Sequence, residues 1–108
     1  MADALGEFEQ LVLLAILQLS DDAHAARVRD HISEGAQRKV TRGALYATLD
    51  RLVAKGYLDW QVEESTPERG GIPRRRFRVT RTGLASLKRS YAALRTLASG
   101  LEGVLGEI

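Results

Sequence analysis

The sequence of 108 residues contains no cysteine. This excludes disulfide bridges, thiolate metal sites and cysteine nucleophiles, although it does not by itself assign a compartment. Long apolar runs are missing too. The longest, residues 11–17, has seven residues, against the roughly 20 a membrane-spanning helix needs. Residues 1–6 carry no basic stretch and include Asp3, so the start of the chain does not read as a secretory signal. A soluble cytoplasmic protein, not inserted in a membrane, is the expectation. The arrangements that carry catalysis are also lacking: no Ser/His/Asp set and no paired carboxylates stand out. His24 and His31 lie seven apart with Asp21 and Asp22 nearby, but no third ligand follows at a metal-binding spacing. Gly70-Gly71 lacks the lysine and the glycine spacing of a phosphate loop. Neither an enzyme nor a protein that needs a metal or cofactor is expected.

What is present is the material of one domain. The length is ordinary for a single domain, and 44% of the residues are hydrophobic, enough for a real core. Net charge is only +2, but it is unevenly placed: residues 1–36 carry seven acidic and two basic side chains, residues 37–95 five acidic and fourteen basic. A solvated face explains such a run as readily as a partner does. Basic charge confined to one part of a small domain is nevertheless the footprint that a polyanion requires.

Leu5, Phe8, Leu11, Val12, Ala15 and Leu19 recur at helical spacing, and Leu13, Leu14, Ile16 and Leu17 fill the other sides. A helix over 5–19 that is apolar nearly all round must be covered on more than one side, and a second subunit is a natural cover. Ser20-Asp21-Asp22 reads as a turn with an N-cap. A second helix over 23–34 follows, striped by Ala25, Val28 and Ile32, with Gly35 as its C-cap. Thr41 caps a third helix over 42–55, Val40 and Leu45 form its staple, and Leu45, Leu49, Leu52 and Val53 form its buried face. Gly56 stops it. Leu58, Trp60 and Val62, and later Phe77 and Val79, alternate with polar residues, the period of two strands. The turn-rich residues 66–73 join them into a hairpin spanning 57–80. Thr80 caps a last helix reaching the end of the chain. Its apolar residues Leu84, Leu87, Tyr91, Leu94, Ala98, Leu101, Leu105 and Ile108 alternate spacings of three and four, a heptad seam. Gly100, Gly103 and Gly106 lie off that seam, and each costs about 1 kcal/mol of helix propensity. Helix, helix, helix, hairpin is the winged-helix order. The expected fold is therefore mainly α with a small β-hairpin: a winged helix-turn-helix over 1–80 and a dimerisation helix over 81–108.

The outward face of the third helix carries Thr41, Arg42, Gly43, Tyr46, Ala47 and Asp50, with Arg51 at its flank. This is a plausible major-groove surface: an arginine at the N-terminal end reaches guanine edges or phosphate, and small residues allow close approach. An ordinary solvent face has the same composition. Arg69, Arg74, Arg75, Arg76, Arg78 and Arg81 fall within thirteen residues, and the planar guanidinium suits phosphate. Asp59 and Glu63 are expected to neutralise Arg76 and Arg78 across the ladder. That leaves Arg69, Arg74 and Arg75 for the DNA backbone or minor groove. Dimerisation is assigned to Leu11, Leu84, Leu87, Tyr91, Leu94, Leu101 and Leu105.

The segment Gly43-Ala44-Leu45-Tyr46-Ala47-Thr48-Leu49-Asp50-Arg51-Leu52, then Lys55-Gly56-Tyr57-Leu58, resembles PadR-like transcriptional regulators. So does Gly70-Gly71-Ile72-Pro73-Arg74-Arg75-Arg76-Phe77-Arg78-Val79-Thr80 followed by Gly83, and residues 5–13 look like the start of one subgroup. The resemblance covers almost the whole chain. It implies a winged-helix domain with a single C-terminal dimerisation helix, usually a repressor. It also implies a small-molecule effector of unidentified structure as a partner besides double-stranded DNA, since some members bind planar molecules at the dimer centre and release DNA. Carried over by position, Tyr46 and its neighbours face DNA and Arg74 and Arg75 serve the wing. The chain departs from the pattern in three places. His24-Ala25 stands where many members have Tyr-Gly, and Arg76-Phe77 replaces a frequent Tyr-Tyr. The C-terminal helix has no tryptophan, the only one being Trp60 on the wing, which argues against an aromatic-sandwich drug pocket. The expectation is a homodimeric repressor on a pseudo-palindromic operator. A ligand-gated sensor is the nearest variant. The alternative from another class is a winged-helix adaptor that binds proteins and no nucleic acid, against which the basic wing and Arg42 argue.

Overall fold

The computed structural model describes residues 4–64, 70 and 73–106. Helix α1 (Glu7–Leu19) begins after Gly6, whose N–H donates to Glu9 Oε1 at 2.8 Å. A glutamate at the third helical position thus satisfies one of the donors a helix start leaves open. Val12, Leu13, Ala15 and Ile16 point into the core, while Leu14 and Leu17 face outward. Residues 20–22 form a single 3-10 turn rather than a cap, and helix α2 (Ala25–Gly35) starts from His24, which makes no side-chain capping bond. Gly35 is not the left-handed stop expected of it: it completes the last helical turn, and Gln37 takes the positive φ of 50°.

Helix α3 (Arg42–Ala54) is capped as its sequence predicts, Thr41 Oγ1 accepting from Ala44 N–H at 3.1 Å. Val40, Leu45, Leu49 and Leu52 are buried; Val53 is half-buried against them. Gly56, at φ +79°, turns the chain into the wing, a conformation glycine adopts without the Cβ clash. Strands β1 (Leu58–Glu63) and β2 (Arg74–Val79) pair antiparallel with Leu58 opposite Val79 and Trp60 opposite Phe77. Phe77 is buried, and its N–H donates to Ala23 O at 2.8 Å, with His24 bridging Arg76. This third line of pairing docks the wing onto the start of α2 and was not visible as a strand pattern, because it is a single isolated bridge.

Helix α4 (Arg81–Ala98) is clamped at its start. Thr80 Oγ1 accepts from Gly83 N–H at 3.0 Å and donates to Gly56 O at 2.6 Å, while Thr80 N–H donates to Tyr57 O at 3.0 Å. The helix does not reach the end of the chain as the heptad spacing predicts. It stops at Ala98, Gly100 adopts φ +84°, and a short helix α5 (Glu102–Leu105) follows. The break falls where Gly100, Gly103 and Gly106 lower helix propensity and Gly100 takes a left-handed conformation open to glycine. Leu87 belongs to the chain's own core, whereas Tyr91, Leu94, Leu101 and Leu105 are exposed; Ile108 lies outside the described residues.

Glu9 ties α1 to α3. Its side chain is 6% exposed, and Oε2 lies 2.9 Å from Lys55 Nζ and 3.2 Å from Arg51 Nε. Burial pushes this carboxyl up, but the Gly6 N–H, Lys55 and Arg51 together outweigh burial and hold it below its ordinary value. The pair therefore stabilises the fold above the unfolded carboxyl's range and loses that contribution as pH falls through the lower folded value. Glu9→Gln should cost about 1–3 kcal/mol at neutral pH. In urea titrations the gap from wild type should shrink on acidification.

Gly83 packs so closely that a Cβ there would overlap the Tyr57 carbonyl, whereas a Cβ on Gly43 meets nothing within 4 Å. Gly83→Ala should therefore destabilise by about 1–3 kcal/mol through overpacking against backbone. Gly43→Ala should be neutral or stabilising by up to about 1 kcal/mol. Thermal unfolding of the two variants checks the contrast.

Candidate nucleic-acid interface

The first turn of α3, the start of α2 and the wing surround an open groove of 520 Å³. Its walls include Arg42 and Tyr46 from α3, Arg74, Arg75 and Phe77 from β2, and His24 from the start of α2. Four of the residues singled out from sequence are thus brought together. Arg42 and Tyr46 are four apart on one helix face, and the guanidinium lies 5.4 Å from the ring centroid. Such a contact costs the cation none of its charge and fixes its direction.

The wing's register decides the fate of each arginine. Arg78 pairs with Asp59 at 3.1 Å, Arg76 bonds Gln61 Oε1 at 3.3 Å, and Arg74 pairs with Glu63 at 3.0 Å. The expected neutralisation of Arg76 and Arg78 by both carboxylates is thus corrected by one rung: Asp59 takes Arg78, but Glu63 takes Arg74. Asp59, Gln61 and Glu63 face Arg78, Arg76 and Arg74 in that order, and alternation places all six on one face. Arg75 falls on the opposite, apolar face. Its guanidinium lies 5.0 Å from the Trp60 ring and 5.5 Å from the Phe77 ring. Within the groove, Arg42 and Arg75 rest on aromatic rings rather than on carboxylates.

Thr41, Gly43 and Ala47 are exposed on the same helix. Thr41 uses an oxygen lone pair for the cap, leaving its hydroxyl proton to donate. With no packing reason for a glycine at position 43, its effect is to keep the helix surface low beside Arg42. Arg51 does not join this group: it turns to Glu9 and to Thr48 Oγ1 at 3.2 Å, so its charge is engaged within the fold. Arg69 lies outside the described residues. His24 is the titratable groove residue that sequence reading did not assign to the interface. Its signal was the departure from Tyr-Gly at the start of α2, but only the wing's docking shows that it faces the arginines.

Apart from Trp60 and Val62 on the wing, the exposed large apolar residues gather elsewhere. Tyr91, Leu94, Leu97, Leu101, Val104 and Leu105 line α4 and α5, and Leu14 and Leu17 stand on α1. Among the described residues no group of three or more potential metal ligands occurs, and no helix is long and apolar enough to cross a membrane.

Residues 13–89 match the family described as Transcriptional regulator PadR-like family. No curated protein matches the sequence. Among solved structures, a PadR-like transcription factor from Bacteroides fragilis is 26% identical, with a TM-score of 0.70 over 90% of this chain and 88% of the other. A PadR-like transcriptional regulator from Bacillus cereus shares the fold at 17% identity, TM-score 0.73, over 94% and 93% of the two chains. The winged-helix DNA-binding protein F93 from STIV shares it at 14% identity, TM-score 0.65, over 89% and 97%.

Proposed function

The chain belongs to the PadR-like family of transcriptional regulators, a family of regulators rather than enzymes, and on that premise we propose that it represses transcription by binding a pseudo-palindromic operator as a homodimer. One observation carries the reading: the groove that gathers Arg42, Tyr46, Arg74 and Arg75 between α3 and the wing. In this reading α3 enters the major groove, with Arg42 directed at base edges or phosphate and Gly43 and Ala47 allowing close approach. Arg75 and Arg74 hold the wing on the backbone or in the minor groove. Phosphate contacts set the register, and base contacts select the sequence.

The homodimer reading is supported by the exposed apolar row on α4 and α5, with Leu94 61% and Leu105 58% exposed, and by Leu14 and Leu17 on α1. A patch of this kind on a small chain marks an interface. Leu84 and Leu11 stand at its edges, both partly open; Leu87 supports it from inside the core. A two-fold axis through this region gives residues 1–80 to DNA and residues 81–108 to pairing, and sets the two copies of α3 on half-sites about 34 Å apart. Repression then follows from occupying promoter DNA, and a cytoplasmic location goes with it. An open groove of 630 Å³ runs along Tyr91, Leu94 and Leu105; a second protomer closing over it makes the place where a small-molecule effector would sit.

Selection of bound fragments from random duplex DNA tests the proposal as a whole. Recovery of inverted half-sites about one helical turn apart is the expected result. A monomer in light scattering, with no salt-sensitive binding to any duplex, would replace it with the protein-binding adaptor.

Arg42→Ala and Tyr46→Ala should each weaken operator binding by about 1–3 kcal/mol in gel-shift titrations. Their combined effect should be less than additive, because the ring positions the guanidinium. Arg74→Ala/Arg75→Ala should reduce the slope of log K against log salt by about 2 per protomer, as two fewer counterion groups are released. An unchanged slope removes the wing from the backbone.

A further inference from the structure

His24 sits on the wall of the groove that holds Arg42, Arg74 and Arg75, yet it has no part in the reading above. Its side chain is 12% exposed, and Nε2 lies 3.3 Å from Asp22 Oδ1. The backbone around it is fixed, since Ala23 O accepts from Phe77 N–H at 2.8 Å and residue 24 bridges Arg76. The imidazole is therefore held in place near Arg74, on the wall of a groove that Arg42 and Arg75 also line, where a DNA phosphate bound by those cations would approach it.

We propose that His24 is a phosphate ligand of this interface, neutral in the free protein and protonated when a DNA phosphate occupies the groove, so that binding takes up a proton. The inference rests on the DNA-binding reading and adds to it a residue and a proton.

The charges around the ring explain both states. In the free protein, burial disfavours the imidazolium first, and Arg74 repels it next; Asp22 and Glu63 favour it but do not prevail, so the ring stays below its ordinary value. Arg42, Tyr46 and Arg75 line the same groove, and Arg76 pairs with it along the backbone. Asp22 is shared with Arg27, whose guanidinium lies at 2.9 Å and holds that carboxyl ionised. A phosphate entering the groove adds negative charge close to the ring and offsets the repulsion from Arg74. The imidazolium has a second N–H and a positive charge that the neutral ring lacks, and so binds the phosphate more strongly. The sign follows: the bound form titrates at higher pH than the free form, and affinity falls as pH rises through the bound-state value. Arginines keep their charge throughout this range.

The test uses the full chain and a mixed-sequence duplex of about 30 base pairs, since phosphate contacts do not depend on sequence. Affinity is measured by fluorescence anisotropy between about pH 5.5 and 8, the range in which an imidazole changes charge, at several salt concentrations. Calorimetry in buffers of different ionisation enthalpy counts the protons. The wild type should lose about tenfold in affinity per protomer for each pKa unit separating the two states. Its salt slope should be steeper by about 0.9 per protomer at the acid end, and calorimetry should show proton uptake. His24→Gln should bind as the wild type does at the alkaline end and stay flat towards acid. His31→Gln should keep the wild-type profile, because His31 meets Gln18 Oε1 at 2.6 Å on the groove between α1 and α2. Tight wild-type binding without proton uptake, or a His24→Gln profile that still rises towards acid, overturns the proposal and leaves the DNA-binding reading intact. The calorimetric arm needs only the wild type, so a His24→Gln chain that does not fold leaves the question decidable. Absence of binding at every pH and salt rejects both readings together.

Discussion

The interface depends on one contact, the docking of β2 against the residues that precede α2. Phe77 buries its ring in the core and donates its N–H to Ala23 at 2.8 Å. A two-stranded hairpin by itself is marginally stable in water. Fixed at this point, it becomes a rigid wall facing α3. Arg75 and Arg74 lie two and three residues before Phe77 in the same strand, so the position of the ring sets theirs. His24 is brought to the groove by the same pairing, and without it the basic residues of the wing and of α3 would have no defined relation.

Within that frame, strand register decides which cations remain available. Moving a strand by one residue exchanges its two faces. The observed register gives the carboxylates of β1 to Arg74 and Arg78 and leaves Arg75 on the rings of Trp60 and Phe77. A guanidinium on an aromatic face keeps its full charge and has few directions to take. Arg42 on Tyr46 repeats the arrangement on the opposite side. The groove therefore pairs two cations of preset direction, one from each wall, while Arg74 reaches it still engaged with Glu63. Behind α3, Glu9 draws in Arg51 and Lys55, so the basic side chains at the far end of that helix tie it to α1.

The C-terminal part follows a different logic. Its apolar spacing extends to the end of the chain, but of the seam only Leu87 is buried in the domain's own core among the described residues, and Leu84, Tyr91, Leu94, Leu101 and Leu105 are exposed. Gly100 then redirects the chain. Helix propensity alone does not carry a glycine-interrupted stretch, and the elbow between α4 and α5 falls at Gly100.

The sequence by itself determined the order of elements, the cap at Thr41, the stop at Gly56, the buried faces of α1 and α3, and the membership that residues 43–58 and 70–83 signal. Those features are local: spacing along a helix, alternation along a strand and the conformational freedom of one glycine are written in consecutive residues. Only the tertiary structure decided which arginines are neutralised, that Arg51 belongs to Glu9, that Gln37 rather than Gly35 turns left-handed, and that His24 faces the groove. Each of these depends on residues far apart in the chain or on how a neighbouring segment packs, and a one-rung change of register suffices to alter the wing's pairings. For the same reason the heptad misled: its spacing was real, but whether it forms one helix is settled by what covers it, which no spacing along the chain contains.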